Sequence, residues 1–234
     1  MIELEMFERE ENENNKEYAY RLLRSNIMTL KLVPGTSLNE NEICKILNMS
    51  RTPVHEAITT LKEEWLVEVV PQSGTKVTLI NPALIREGYH TRVLLESSLL
   101  ENFAGKLSHV QSEEIFRQLN KQQEVMNQIG ENPDLCIRLD DEFHCMVYNF
   151  GGRGYTWQAI RGLMSHYDRA RYLDAMIGDV DAEKIVHEHR QIYGYMLMGL
   201  PPDKSANEIV LGHLGYFGDK FYRIIEKYHK YFEL

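Results

Sequence analysis

The 234-residue sequence holds no run of about eighteen apolar residues, the length that a membrane-spanning helix needs. Its opening, MIELEMFEREENENN, is acidic where a secretory leader would be basic and then apolar, so neither a span nor a signal peptide is expected, and the expected compartment is the cytoplasm. Cysteine is scarce. Cys44, Cys136 and Cys145 are odd in number, lack CxxC spacing and sit in helical patterns, which argues against a disulfide framework and points to buried, reduced thiols. Positive charge is also in deficit: 26 Lys and Arg face 35 Asp and Glu, a net charge of −9 that would repel a polyanion. The deficit is uneven, however. Residues 1–15 hold six acids and one Arg and residues 81–234 carry a further −5, whereas residues 16–80 are net +1. Only that segment suits contact with phosphates, which needs a local patch and not a basic protein.

Within it, SRTPVHEAITTL (Ser50–Leu61) reads as a helix start, with Thr52 able to cap and Pro53 at the first helical position. Val54, Ala57, Ile58 and Leu61 recur at spacings of three and four and form one buried face. Ser50, Arg51, Thr52 and His55 are left to project. Upstream, Leu38, Ile43, Ile46 and Leu47 mark a second short helix, joined through Asn48–Ser50. An amphipathic helix on Ala19, Leu22, Leu23, Ile27 and Leu30 precedes both and ends at Pro34-Gly35. Downstream, LVEVVPQSGTKVTLI (Leu66–Ile80) gives two β-branched runs around Pro71–Gly74, a hairpin. The order helix, helix, helix, hairpin is that of a winged helix-turn-helix.

The pattern Pro34-Gly35, Leu38, Glu40, SRTPVHEAI, Leu66-Val67 and Gly74 resembles the GntR-type transcriptional regulators. The resemblance implies that Arg51 reads bases or phosphates in the major groove of double-stranded DNA, assisted by Ser50, Thr52, Pro53, His55 and Asn41, while Gly74 lets the wing approach the backbone. Three positions depart from the pattern. His55 stands where Arg is expected, Asn41 where some members carry Arg, and Trp65 where Gly is frequent. A neutral imidazole cannot form Arg's bidentate contact to guanine, so the operator is expected to differ, and Trp65 suggests a different turn between helix and wing.

After Ile80 the pattern is wholly helical. Starts at Asn81-Pro82, Ser112, Asn132-Pro133, Tyr155, Asp181 and Ser205 predict six helices, with stops near Lys106, Gly130, Gly151-Gly152, Ile177, Met198 and Phe232. The expected architecture is therefore mainly α: an acidic flexible leader (1–15), a winged helix-turn-helix with a small β-hairpin wing (16–80) and an all-α six-helix bundle (81–234). The last resembles the family's FCD domain, an effector-binding and dimerisation module.

Asp140 and His144, four apart in LDDEFHCMV, share a helical face. His187 and His189 lie in HEHRQIY and His213 in VLGHLGYF. The FCD pattern is similar to DxxFH, then EH, then a later H. It implies Asp140, His144, His189 and His213 as ligands of a divalent transition metal, with Asp141 and His187 on other faces as spectators. Three imidazoles and a carboxylate suit zinc by default, with nickel or manganese as alternatives, and leave positions open to water or a carboxylate. HTRVLLE resembles the family's Arg-x-x-Leu-Glu helix, which offers Arg92 to an effector carboxylate; a helix-surface Arg92–Glu96 pair is the alternative reading. Arg153 follows Gly151-Gly152 where the family has Asn, and adds a second candidate cation. These features predict a homodimeric regulator, not an enzyme, that binds a pseudo-palindromic operator under the control of a small carboxylate metabolite. A metal-dependent hydrolase using the Asp/His site is the rival.

Overall fold

The computed structural model describes residues 2–72, 74–125, 131–177, 180–215 and 218–234, the last with side chains from Phe221 onward. Two compact units emerge. One comprises Met1–Arg86 with Arg161–Ala170 and Lys227–Leu234; the other comprises Glu87–Ile160 with Arg171–Glu226.

In the first unit, α1 (Asn15–Met28) opens with a capping box between Asn14 and Glu17. Helix α2 (Glu40–Leu47) is capped by Asn39 and stopped by Asn48 in the left-handed conformation, φ 51°. Helix α3 (Arg51–Glu63) starts one residue ahead of the expected cap. Ser50 takes the N-cap position without a side-chain hydrogen bond, and Thr52 and Pro53 fall inside the first turn. Pro is tolerated there because the first four N–H groups of a helix have no intrahelical acceptor. Leu22, Leu23 and Ile27 of α1, Ile43 of α2, and Val54, Ala57 and Leu61 of α3 close one core with Leu66 and Val77.

The wing has three strands and not the expected two: β1 (Ser37–Leu38), β2 (Val67–Val70) and β3 (Gly74–Val77), antiparallel in the order β1-β3-β2. Ser37 pairs with Lys76 and Val67 with Val77. Gly74 adopts φ 82°, which an L side chain resists, so its role in the hairpin is conformational. The leader, expected to be solvated, is laid against the core. Ile2 is buried there with Leu4 and Phe7 beside it; the Glu5 N–H donates to Asn26 Oδ1 (2.7 Å), and the Tyr18 hydroxyl donates to the Phe7 carbonyl (2.9 Å). The acids dominated the sequence pattern, but the apolar residues between them decide where the segment lies.

The turn from α3 to β2 corrects a second expectation. Trp65 makes the left-handed turn that glycine makes, φ 55°, with its N–H on the Lys62 carbonyl and the Leu66 N–H on Leu61. That conformation costs about 1–2 kcal/mol in a residue with a Cβ. It is held from outside by α8 (Ser165–Ile177): Ser165 Oγ donates to the Glu64 carbonyl (2.8 Å) and His166 Nε2 to the Trp65 carbonyl (3.1 Å). Buried Arg169 donates to both the carbonyl and the hydroxyl of Thr78.

His166 accepts the Asn81 N–H at Nδ1 (2.9 Å), so its proton sits on Nε2. Burial, and next the charge of Arg169, push its pKa down to about 3. The unfolded chain, with His near 6.5, then binds the proton more readily than the fold does. Stability is therefore full above about pH 6.5 and falls towards pH 3, by at most about 1.4 kcal/mol per pH unit from this group. In urea titrations between pH 7 and 4, His166→Gln should flatten that slope; an unaltered slope would exclude His166 as its source.

The second unit is helical: α4 (Pro82–Phe103, entering from the first unit), α5 (His109–Val125), α6 (Pro133–Phe150), α7 (Gly154–Ile160), the remainder of α8, α9 (Ala182–Met198), α10 (Ala206–Leu214) and α11 (Gly218–Tyr228). The described residues after Ile80 thus form eight α-helices where six were expected, because 155–177 and 205–232 each divide. In the first case 161–164 form turns around Gly162, a poor helix former. The stop expected near Gly130 lies outside the described residues. Leu119, Phe143, Val147, Ile192, Met196 and Val210 build the core.

Candidate metal centre and DNA-reading edge

Four predicted ligands come from three helices. Asp140 and His144 sit one turn apart on α6, His189 on α9 and His213 on α10. The ligand nitrogens of the three histidines lie within 4.8 Å of one another. His189 Nε2 is 3.1 Å from His213 Nε2, which is 3.3 Å from His144 Nε2. Asp140 joins them at one side, with Oδ1 3.4 Å from His189 Nε2 and Oδ2 3.8 Å from His144 Nε2. Of the two residues expected to be spectators, His187 is exposed, and Asp141 Oδ1 faces Arg171 at 2.9 Å.

The outer nitrogens explain the inner ones. His144 Nδ1 meets Glu96 Oε2 at 3.0 Å, His213 Nδ1 meets Glu188 Oε2 at 3.1 Å, and His189 Nδ1 meets Gln122 Oε1 at 2.8 Å. Gln122 spends its amide nitrogen on the Leu139 carbonyl (2.8 Å), which leaves its oxygen to accept. Each Nδ1 therefore carries the proton, and in each neutral ring the Nε2 lone pair points inward. Three such lone pairs at these separations repel unless a cation lies among them. Metal–nitrogen distances of about 2.0–2.1 Å in a tetrahedron place ligand nitrogens about 3.3 Å apart, close to the 3.1 and 3.3 Å that separate His213 from His189 and from His144. Burial also favours the neutral form of His144 and His189. It lowers the pKa of His144, helped by Arg92 and opposed by Glu96; it lowers that of His189 much further, with His213 and His144 adding to it.

Arg92 and Glu96 are not a helix-surface pair. Both are buried, with Arg92 Nε 2.7 Å from Glu96 Oε1. Burial alone would raise the Glu96 pKa, but Arg92 and then His144 hold it well below the usual carboxylate range. Arg92 thus reaches the histidines through Glu96. Arg153 does not join them: it lines a separate pocket of about 180 Å3 with Ser98, Asn102 and Tyr148. As partners of the imidazoles, Glu96, Gln122 and Glu188 were not legible in the sequence, since a Glu or Gln on a helix carries no signal of what faces it. Only Glu96 and Glu188 stood inside quoted motifs.

At the other edge, Arg51 and His55 project from α3, 76% and 63% exposed. Glu40, at the start of α2, accepts from Arg51 Nε at 3.3 Å and pairs with His55 Nδ1 at 3.1 Å. Partial burial opposes ionisation of that carboxyl, but His55 and then Arg51 bring its pKa below the ordinary value. Asn41, Arg51 and Gly74 share an open cleft of about 800 Å3 with Lys31 and the first residues of α2. Ser50 and Thr52 are exposed beside them, and Pro53 is half-buried. Of the residues expected to read DNA, Asn41, Arg51 and Gly74 thus line one cleft, and His55 is tied to its Glu40.

No helix among the described residues is long and apolar enough to cross a membrane. The family model for bacterial regulatory proteins of the gntR family matches residues 15–77, and that for the FCD domain matches residues 87–201. An HTH-type transcriptional regulator encoded in an unstable DNA locus of Streptomyces ambofaciens is 30% identical over 188 residues, 80% of this chain and 78% of its own. The HTH-type transcriptional repressor RspR of Escherichia coli is 31% identical over 154 residues, 66% and 67% of the two chains. Among solved structures, Escherichia coli McbR/YncC aligns with a TM-score of 0.71 at 17% identity, over 92% of this chain and 99% of that one. A GntR regulator from Rhodococcus aligns at 0.69 and 20% identity, over 91% and 98%. The chain belongs to the GntR family of bacterial regulatory proteins, with an FCD domain as its helical half, and is a DNA-binding transcriptional regulator.

Proposed function

We propose that the protein is a cytoplasmic, homodimeric regulator whose operator affinity responds to a divalent transition metal and a small carboxylate held in the helical half. The observation that carries this reading is the convergence of three Nε2 lone pairs, each enforced by an acceptor on its own Nδ1. Asp140, His144, His189 and His213 would hold the metal, which supplies a Lewis-acid centre to an anionic ligand. Zinc is the default, and nickel and manganese accept the same donors. Arg92 stands behind His144, through Glu96, as a cation for an effector carboxylate, and Arg153 with Asn102 and Ser98 offers the second anion-accepting point. Two reading heads related by a two-fold axis would match an inverted repeat.

Selection of bound sequences from random DNA, with and without metal and organic acids, tests the whole reading; enrichment of a short inverted repeat is expected. On the selected operator, Arg51→Ala should weaken binding by about 1–3 kcal/mol per lost base contact while leaving metal content unchanged. His55→Arg should strengthen it. Wild-type operator affinity in Arg51→Ala would refute the assignment of α3 as the reading helix.

A further inference from the structure

The start of α3 carries two exposed side chains that end on one carboxylate. Arg51 and His55, four apart and so on one helical face, direct Nε and Nδ1 to Glu40 at 3.3 and 3.1 Å. Glu40 opens α2 and is 19% exposed, whereas His55 is 63% exposed. Partial burial opposes the charge of Glu40, but His55 and then Arg51 outweigh it, so the group is a carboxylate at neutral pH. A carboxylate only accepts, and Nδ1 of His55 is therefore the donor. Among the described residues Glu40 is the sole partner of this ring, which leaves Nε2 to solvent. In the neutral ring with its proton on Nδ1, Nε2 is a bare acceptor.

We infer that His55 determines specificity by accepting, at Nε2, a hydrogen bond from the amino group of a cytosine or adenine, and that Glu40 is the positioning residue that fixes its tautomer. This rests on the proposed entry of α3 into the major groove. There the two neighbours on α3 have opposite chemistry. Arg51 can only donate, and suits the N7 and O6 acceptors of guanine. A bare Nε2 is repelled by those atoms and by O4 of thymine. It suits the bases that present an exocyclic amino group in that groove, N4 of cytosine and N6 of adenine. Glu40 acts in two separable ways. Its charge stands where phosphates approach and weakens binding to every sequence, whereas its hold on Nδ1 affects only the base that His55 meets.

The test selects bound sequences from random DNA with wild type and with His55→Ala; the base pair whose preference is lost in the variant is the one His55 meets. In the selected operator that pair is then altered one group at a time. Removing the amino group, by purine in place of adenine or 2-pyrimidinone in place of cytosine, should weaken wild-type binding about 3–10-fold, the worth of one hydrogen bond, and leave His55→Ala within about twofold. A 7-deazapurine in the same pair, which removes N7 alone, should change neither. Glu40→Gln keeps the shape and loses the charge. It should bind all sequences more tightly and lose most of the amino dependence, since an amide can donate to Nδ1 as readily as accept from it. Dependence on N7 and not on the amino group would reveal a donating Nε2 and overturns the inference. Full amino dependence in Glu40→Gln overturns the positioning role. Identical preferences in wild type and His55→Ala overturn the base contact, with α3 still the reading helix if Arg51→Ala loses operator affinity. If Arg51→Ala also binds as wild type does, the reading of α3 falls and the inference with it.

Discussion

Replacing His189 with alanine is expected to abolish stoichiometric metal binding. The ring is fully buried; its Nε2 lies 3.1 Å from His213 and 3.4 Å from Asp140, and its tautomer is set by Gln122. Alanine removes the ligand that contacts both of these partners, so the loss of affinity should exceed the roughly 10–100-fold of a supporting residue. Because metal binds the folded state and not the unfolded one, the wild type at about a thousandfold excess over Kd gains roughly 4 kcal/mol. A chelator should therefore lower the wild-type melting temperature by several degrees and leave that of His189→Ala unmoved. His187→Ala is the internal control, since that ring is exposed. Elemental analysis and melting curves with and without chelator read the outcome; equal metal in wild type and His189→Ala would end the assignment.

The second large effect is expected at Glu96. Glu96→Ala leaves the buried charge of Arg92 without its carboxylate and deprives His144 Nδ1 of its acceptor. Breaking a buried ion pair from one side costs about 3–5 kcal/mol, because the remaining charge stays desolvated. His144 would then be free to carry its proton on Nε2, facing the other rings, so metal affinity should fall as well. Glu96→Gln should be milder, as its carbonyl still serves one donor. Urea denaturation in the presence of chelator isolates the stability loss, and a zinc titration measures the second effect. If Glu96→Ala stays within about 1 kcal/mol of wild type in chelator, the Arg92–Glu96–His144 chain is not what holds that part of the bundle.

Much of the reading head was legible because its signals are local. The apolar spacing of α1 to α3, the turn at Asn48–Ser50 and the β-branched runs around Gly74 each act within a few residues of where they are written. Where the reading slipped, distant partners had decided. The two-residue strand β1 is too short to show a period and exists because β3 lies beside it. The leader docks through Ile2 and Phe7, whose partners are on α1 and α2. Trp65 keeps a glycine-like turn because α8, about a hundred residues later, takes its carbonyl.

The candidate metal centre divides along the same line. Asp140 and His144 could be paired from sequence alone, since 3.6 residues per turn places positions four apart on one face. His189 and His213 could be proposed by resemblance, but no period relates them to α6. Periodicity, capping and composition, which depend on backbone geometry and near neighbours, determined most of the helices, the hairpin and the Asp140–His144 pair by themselves. The acceptors behind each imidazole, the burial of Arg92 with Glu96 and the bridging of Asp140 and Asp141 by Arg171 were decided by tertiary structure. A hydrogen bond between residues 25 to 67 apart exists only once packing has brought their helices together, and nothing in either local sequence encodes that distance.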